Sequence, residues 1–190
     1  MRANNLTLLT DLYELTMMQG YFHAKDANET VIFDAFYRTN PDGNGFAITA
    51  GLEQVVEYIE NLHFDKEDID YLRTTGLFGE DFLEYLSTFK FTGDIYAIPE
   101  GTVVFPREPL VKVIAPIMQA QLVETAILNI INHQSLIATK SNRIVRAAEG
   151  RPVAEFGSRR AHGPDGALLG ARASYIAGCA ATACTKIINI

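Results

Sequence analysis

The chain has 190 residues, of which 48% are hydrophobic and 21% are charged, and this balance excludes a generally disordered protein. Its formal net charge is −7, from 16 basic and 23 acidic residues, so the phosphates of a nucleic acid would be repelled and general nucleic-acid binding is not expected. An anionic ligand would need a local cluster of Arg and Lys side chains.

No segment has the composition of a membrane span or a secretory signal. The N-terminal residues lack the apolar run of a signal peptide, and Gln and Glu side chains interrupt the most apolar stretch, 117–131. We therefore expect a soluble, cytoplasmic protein. Cys179 and Cys184 are the only cysteines, and their spacing fits neither a zinc motif nor a disulfide framework. We expect unpaired thiols that pack as small apolar side chains, and their function stays open.

The first half of the chain predicts a mixture of helices and strands. Thr10 and Asp11 form an N-cap pair that opens a helix, and Asp65 is the cap of a later one. The remaining elements are predicted from apolar periodicity and turn composition. They are a strand at 30–38, a turn at 41–45, a strand at 46–49 and helices at 52–61 and 81–86.

The second half predicts a sheet segment, a long helix and one strand-loop-helix unit. Three short strands, at 95–98, 102–105 and 110–114, are separated by Pro-rich turns, and Pro116 closes them. A single helix from about 119 to 148, or two helices joined near His133, comes next. The last elements are a strand at 152–156, a polar basic loop at 158–166 and a helix at 167–177.

A strand followed by a polar, basic loop and a helix is the opening of a βα repeat. This order predicts an α/β fold with functional residues in the loop after the strand. We place a domain boundary near residue 149, which gives domains at 1–149 and 150–190. Because one βα unit cannot close a sheet or a barrel, we expect the 190 residues to be a fragment of a longer fold.

The best candidate site is the loop that carries Arg159 and Arg160. Two guanidinium groups between glycines suit a phosphate or carboxylate pocket, although the same pair could form salt bridges on a surface loop. Phe156, one step earlier, could stack on an aromatic ligand or belong to the core. Lys140 and Arg143 share one helix face, where they could extend the anion site or simply be solvated.

A second candidate pair is Asp11 with Tyr13 at the start of the first helix, which could contact a ligand or serve only as a cap and an amphipathic side chain. No spacing of His, Cys, Asp or Glu predicts a metal site, and no catalytic triad, P-loop or dinucleotide fingerprint is present. From spacing alone, the chain is an α/β protein with an anion pocket.

Several motifs, in order along the chain, resemble those of nicotinate phosphoribosyltransferases, which are type II phosphoribosyltransferases. The most specific run is Glu155-Phe156-Gly157-Ser158-Arg159-Arg160-Ala161, followed by Gly163. The others are Thr10 to Met18, Phe36-Tyr37-Arg38, Gly51-Leu52-Glu53, Gln121 to Asn129 and Ile137-Ala138-Thr139-Lys140. The matches extend from about residue 8 to 184.

The resemblance implies an enzyme of NAD salvage that joins nicotinate to 5-phosphoribosyl 1-pyrophosphate. The products are nicotinate mononucleotide and pyrophosphate, and ATP hydrolysis to ADP and phosphate is coupled through a phosphorylated histidine, with Mg²⁺ assisting. That histidine lies beyond Ile190 in the family pattern, so neither His133 nor His162 inherits its role and the catalytic residue stays unassigned.

The resemblance also implies a fold and a set of substrate-binding residues. The fold is an N-terminal α+β sandwich with long helices that leads into an irregular α/β barrel, truncated here, in a homodimer. Phe156 is similar in position to the ring that stacks on the pyridine, and Arg159 and Arg160 to the phosphate and carboxylate ligands. Lys140 and Arg143 would border this pocket, and Asp11 and Tyr13 would come from the neighbouring subunit.

We expect the 190 residues alone to have little or no transferase activity, since half of the implied pocket would be missing. The alternative is a naturally short, non-catalytic chain that only binds nicotinate or a partner subunit through the retained motifs.

Overall fold

The computed structural model describes residues 5–24, 27–43 and 45–185, which form seven helices and seven short strands. The helices are α1 (Leu12–His23), α2 (Leu52–Glu60), α3 (Lys66–Thr74), α4 (Glu80–Ser87), α5 (Ile117–Leu122), α6 (Glu124–Ala147) and α7 (Gly163–Ile176). The strands are β1 (Thr30–Ala35), β2 (Ala47–Ile48), β3 (Asp94–Ala97), β4 (Val103–Val104), β5 (Val111–Pro116), β6 (Ala154–Glu155) and β7 (Ala181–Thr182). This mixture confirms the predicted mixed helix-and-strand class.

The chain divides into two compact units, each built from three segments. The first unit comprises Met1–Ala35, Glu53–Tyr96 and Val111–Leu128, and the second comprises Phe36–Leu52, Ala97–Leu110 and Asn129–Ile190. The domain boundary near residue 149 stays a prediction from the sequence.

The first unit packs helices against a three-stranded sheet in the order β1-β5-β3. β1 and β5 are antiparallel, and in β5 the alternate residues Val111, Val113 and Ala115 are buried. A cluster of aromatic rings extends this core through α4, where Phe82 is completely buried. The period of two in β5 is the ordinary signature of a strand with one face on a core.

The second unit contains the antiparallel pair β2-β4, the parallel pair β6-β7, most of α6 and all of α7. Its core consists mainly of small residues: Ile48, Ala50, Ala138, Ala173 and Ala177. A parallel pair needs a crossover, and α7 supplies it between β6 and β7. The predicted βα repeat is thus present and extends to a complete βαβ unit.

Small residues allow α7 to lie very close to α6. A Cβ added at Gly170 would lie 3.2 Å from Ile137 Cδ1, and the hydroxyls of Ser174 and Ser141 are hydrogen-bonded at 2.9 Å. A Cβ added at Gly178 would lie 3.4 Å from Val145 Cγ1. Contacts on both helices advance by four residues in the same direction, so the two helices run parallel.

A buried ion pair joins α7 to the turn between β3 and β4. Arg172 donates from Nη1 to Glu100 Oε1 at 2.8 Å and from Nη2 to Oε2 at 2.7 Å, and the guanidinium is nine-tenths buried. The same carboxylate accepts the backbone N–H of Gly51 at 2.5 Å and of Leu52 at 3.1 Å, at the start of α2. One side chain therefore fixes three segments of the second unit.

Three details differ from the sequence-based expectations. The strands predicted at 95–98, 102–105 and 110–114 do not form one sheet segment, because β4 pairs with β2 while β5 lies between β1 and β3. The long helix is broken at Val123, not near His133. The last helix begins at Gly163, within the predicted loop. In the predicted turn at 41–45, Asn44 lies outside the described residues.

Among the described residues, no helix is both long and apolar enough to cross a membrane.

Gly51→Ala should destabilise the protein much more than Gly76→Ala. Both glycines have positive φ (107° and 68°), which costs an L-residue roughly 1–2 kcal/mol, but only at Gly51 would the new Cβ meet backbone, 2.9 Å from the Ile130 carbonyl oxygen. Overpacking adds about 1–3 kcal/mol, to be measured by urea unfolding. Equal losses for the two variants would contradict this account of Gly51.

Glu100→Gln should lower the free energy of unfolding at pH 7 by about 3–5 kcal/mol, because Arg172 would keep a buried charge without its partner. Glu80→Gln is the matched control: Glu80 and Arg73 are paired through two similar hydrogen bonds, but in an exposed position, so we expect only a small loss.

The same pair predicts a pH dependence. Burial raises the pKa of Glu100, but Arg172 and the two backbone N–H groups outweigh it and hold the pKa below its ordinary value of 4.5. The ionised carboxylate therefore stabilises the fold above that pH, and the contribution is lost as the pH falls below 4.5 through the lower folded-state pKa. Unfolding measured from pH 7 to pH 3 should be less pH-dependent in Glu100→Gln than in the unchanged protein.

Candidate functional site

The loop after β6 presents one aromatic ring and two guanidinium groups to solvent. Phe156 is 64% exposed, a high value for an apolar ring, and Arg159 and Arg160 are both exposed. Residues Ser158–Arg160 form a short 3-10 turn, which the Arg160 N–H closes by donating to the Gly157 carbonyl at 2.8 Å. The exposed position disagrees with a core role for Phe156 and leaves the ring available to stack on a ligand.

This loop occupies the place in a βαβ unit where ligands are usually bound, at the carboxyl end of a parallel strand. It leads into α7, whose first backbone N–H groups carry the positive end of the helix dipole. The forked donors of Arg159 and Arg160 suit carboxylate or phosphate oxygens. The arrangement can therefore hold an anion whose attached ring lies on Phe156.

Lys140 and Arg143 lie on α6 in the same unit as this loop. Lys140 is exposed, whereas Arg143 is half-buried and donates from Nη2 to the Pro41 carbonyl at 2.9 Å. Arg143 thus has a structural hydrogen bond in addition to any role toward an anion.

Asp11 and Tyr13 belong to the first unit, so they lie in a different unit from the Arg loop. Asp11 is the N-cap of α1, and its Oδ2 accepts the hydroxyl of Thr125 at 3.1 Å. Tyr13 is 51% exposed, and the pKa of its phenol is raised mainly by the negative charge of Glu124. Asp11 has the predicted capping role, and Tyr13 is open to solvent.

Glu14 holds this end of α1 in place and was not singled out from the sequence. Its carboxylate is completely buried and accepts hydrogen bonds from the hydroxyl of Thr10, the N–H of Asp11 at 3.2 Å and the hydroxyl of Thr125 at 3.0 Å. Burial raises its pKa more than these bonds lower it. The signal was available, since Glu three residues after an Asp cap is the sequence of a capping box.

Two further carboxylates were missed, Glu100 and Glu155. Glu100 lies in a Pro-Glu-Gly turn with nothing local to mark it, but its partner Arg172 could have been noticed as the one charged residue in a run of small and apolar residues on α7. Glu155 adjoins the candidate loop and accepts the Thr182 hydroxyl at 2.7 Å. Glu155 begins the motif that resembles the family, but the sequence alone assigned it no role in binding or structure.

The cysteines and potential metal ligands are simple to place. Cys179 is buried and Cys184 is half-buried, both as free thiols, and burial raises the pKa of Cys179. Within the described residues, no group of three or more His, Cys, Asp or Glu side chains is arranged to hold a metal ion.

Comparison with known proteins connects this geometry to one family. The family model of the nicotinate phosphoribosyltransferase (NAPRTase) N-terminal domain matches residues 8–132. A nicotinate phosphoribosyltransferase of Mycobacterium tuberculosis is 53% identical over 175 residues, which are 92% of this chain and 38% of that protein. The Bacillus subtilis nicotinate phosphoribosyltransferase is 46% identical over 181 residues, 95% of this chain and 37% of its own length.

A solved structure shows the same fold. The crystal structure of human nicotinic acid phosphoribosyltransferase superimposes with a TM-score of 0.86 at 33% sequence identity, covering 94% of this chain and 36% of the human one. The chain thus spans between a third and two fifths of the length of these relatives. On the family model and on these identities, the chain belongs to the nicotinate phosphoribosyltransferase family, with its match in the N-terminal part.

Proposed function

We propose that the chain forms the nicotinate- and phosphate-binding N-terminal part of a nicotinate phosphoribosyltransferase that acts in NAD salvage in the cytoplasm. The observation that carries this proposal is the exposed Phe156 ring beside the exposed pair Arg159 and Arg160 at the carboxyl end of β6. The reaction joins nicotinate to 5-phosphoribosyl 1-pyrophosphate and releases nicotinate mononucleotide and pyrophosphate.

Three side chains at the start of this loop suit different chemical groups of these substrates. The flat face of Phe156 can stack on the pyridine ring of nicotinate. Arg159 and Arg160 offer forked N–H donors to the nicotinate carboxylate and to a phosphate, whose oxygens form shorter and stronger hydrogen bonds with guanidinium than with neutral donors. Lys140 and Arg143 would border the same anionic pocket from α6.

The reaction requires positioning more than a protein nucleophile. The bond between the ribose C1 and the pyrophosphate oxygen breaks, the pyridine nitrogen forms the new bond to C1, and the pyrophosphate leaves with the electron pair. Positive charge develops on the ribose and negative charge on the leaving group, so orientation by Phe156 and donors from the two Arg side chains are what this loop can contribute.

A second copy of the chain is part of the proposal. In a homodimer, Asp11 and Tyr13 of one copy would complete the site of the other. The described geometry supports a surface role for this end of α1. Tyr13 is half exposed, and two apolar side chains of the same helix, Leu12 and Met17, are also exposed. We further propose that the β6-α7-β7 unit belongs to an irregular α/β barrel.

ATP and Mg²⁺ remain proposals that follow from the family resemblance. The described residues offer no protein cluster for a metal, and Mg²⁺ commonly binds through substrate phosphates with only one or two carboxylates. The phosphorylated histidine is not assigned to His133 or His162. Nothing observed favours the alternative of a non-catalytic chain that only binds nicotinate or a partner subunit.

Phe156→Ala and Arg159→Ala should each weaken nicotinate binding. Loss of a charge-assisted hydrogen bond costs about 1.5–3 kcal/mol, which corresponds to roughly a 10- to 100-fold increase in Kd for Arg159→Ala. Nicotinate binding would be followed by ligand-observed NMR or calorimetry. Phe105→Ala, at a ring that is 49% exposed and far along the chain from the loop, and Arg151→Ala, at another exposed Arg, are the matched controls. Unchanged Kd values in both loop variants would refute the proposed site.

The 190 residues alone should show little or no turnover. In the structure Phe156 is 64% exposed to solvent, whereas group transfer between charged substrates needs a site that excludes water. The measurement is nicotinate-dependent release of pyrophosphate from 5-phosphoribosyl 1-pyrophosphate, with and without ATP. Turnover on the order of 1–1000 per second, the usual range of enzymes, would show this expectation to be wrong.

A further inference from the structure

The carboxylate of Glu155 links the loop after β6 to Thr182, the last residue of the parallel strand β7. Its Oε1 accepts the backbone N–H of Gly157, and its Oε2 accepts the hydroxyl of Thr182 at 2.7 Å. The hydroxyl of Thr182 in turn accepts the N–H of Cys184 at 3.0 Å. One side chain thus connects the start of the loop after β6 with the end of β7, and the Thr182 hydroxyl continues the connection to Cys184 in the loop that follows.

The backbone strengthens this bridge. Glu155 and Thr182 are direct partners in the parallel β6-β7 pair, and the Glu155 carbonyl accepts the N–H of Ala183 at 2.9 Å. A Cβ added at Gly157 would lie 2.8 Å from Glu155 Oε1, so a side chain at this position would displace the carboxylate from its present place.

The bridge determines where the loop side chains lie. Phe156 stands between the residue that supplies the carboxylate and the residue whose N–H it holds, so both of its peptide neighbours are fixed. Gly157 is also the residue whose carbonyl accepts the Arg160 N–H and closes the 3-10 turn of Arg159 and Arg160. The Phe156 ring and the two guanidinium groups are exposed, but hydrogen bonds hold the backbone that carries them.

We propose that Glu155 is a positioning residue, whose carboxylate pre-organises Phe156 and the Arg159-Arg160 turn for nicotinate. This inference rests on the proposed function of the loop. A loop that is ordered before the ligand arrives does not lose that conformational freedom on binding, and the gain appears as tighter affinity. Glu155 need not touch the ligand, since its two oxygens are occupied by Gly157 and Thr182.

Two variants separate positioning from charge. Glu155→Ala removes both hydrogen bonds. Glu155→Gln can form two in their place: its amide oxygen accepts the Gly157 N–H, and its amide N–H donates to the Thr182 hydroxyl, which reverses the direction of that bond. We expect Glu155→Ala to raise the Kd for nicotinate by about tenfold and Glu155→Gln to leave it close to the original value. Thr182→Val, which removes only the hydroxyl and preserves side-chain shape, should cause a smaller loss in the same direction and serves if Glu155→Ala fails to fold.

The readouts are nicotinate binding and amide hydrogen exchange at Gly157, both measured by NMR on the 190-residue protein. Faster exchange in Glu155→Ala, slow exchange in Glu155→Gln and the matching order of affinities would support the proposal. It is overturned if Glu155→Ala binds nicotinate like the unchanged protein, or if Glu155→Gln loses as much as Glu155→Ala, which would mean that the negative charge itself is needed.

The same binding measurements distinguish a failure of the proposed function from a failure of the role of Glu155. If the unchanged protein does not bind nicotinate, or if Phe156→Ala and Arg159→Ala both bind it equally well, the loop of these 190 residues is not a nicotinate site and the positioning role falls with it. If Phe156→Ala loses binding while Glu155→Ala does not, the site stands and only the role of Glu155 is refuted.

Discussion

The close parallel packing of α7 on α6 is the constraint on which the second unit depends. Gly170 and Ser174 remove the side-chain bulk that would hold the helices apart, and the contacts repeat every four residues along both helices. Because the candidate loop is the segment that connects β6 to α7, its position follows from where α7 begins. A helix displaced by bulkier residues would move the loop with it, even with every residue of the loop unchanged.

The buried pair of Glu100 and Arg172 fixes the orientation of α7, because it joins this helix to the turn between β3 and β4. Small residues allow two helices to approach, but they specify rotation and register only weakly, whereas a bidentate ion pair is satisfied in one geometry. The net stability gained from such a pair is small, because desolvation offsets most of the attraction. Its effect here is geometric, since the carboxylate also holds the N–H groups of Gly51 and Leu52.

Locally determined elements could be predicted from the sequence, and elements set by distant partners could not. Asp11 and Asp65 were identified as helix caps because the relevant groups lie within a few residues of each other. The strands after residue 93 were also located, but their pairing was wrong, since β4 selects β2 more than fifty residues earlier. The break at Val123 had no Gly or Pro to mark it.

The same distinction applies to the site. Arg159 and Arg160 could be singled out from the sequence, because a basic cluster is unusual in a chain of net charge −7. Phe156 was raised by its place one step before them, and the choice between a ligand role and a core role came from the family resemblance. The carboxylate of Glu100 could not be singled out, since its partner Arg172 lies 72 residues away. Glu14 was marked by its capping-box spacing from Asp11, but its bond to Thr125, 111 residues away, was not. Sequence patterns therefore located the side chains that face solvent better than those that hold the backbone.

The basic side chains of the second unit divide into a buried, paired Arg and exposed Arg residues, and this division is what would allow an acidic protein to bind the proposed anionic ligand. Arg172 is buried and paired, so it fixes the fold, whereas Arg159 and Arg160 are exposed on a loop. Beyond roughly 10 Å the field of the remaining acidic residues is screened at ordinary salt concentrations. At contact distance the nearest groups would decide what an anion meets, and Glu155, which adjoins this loop, already accepts two hydrogen bonds and holds the loop itself.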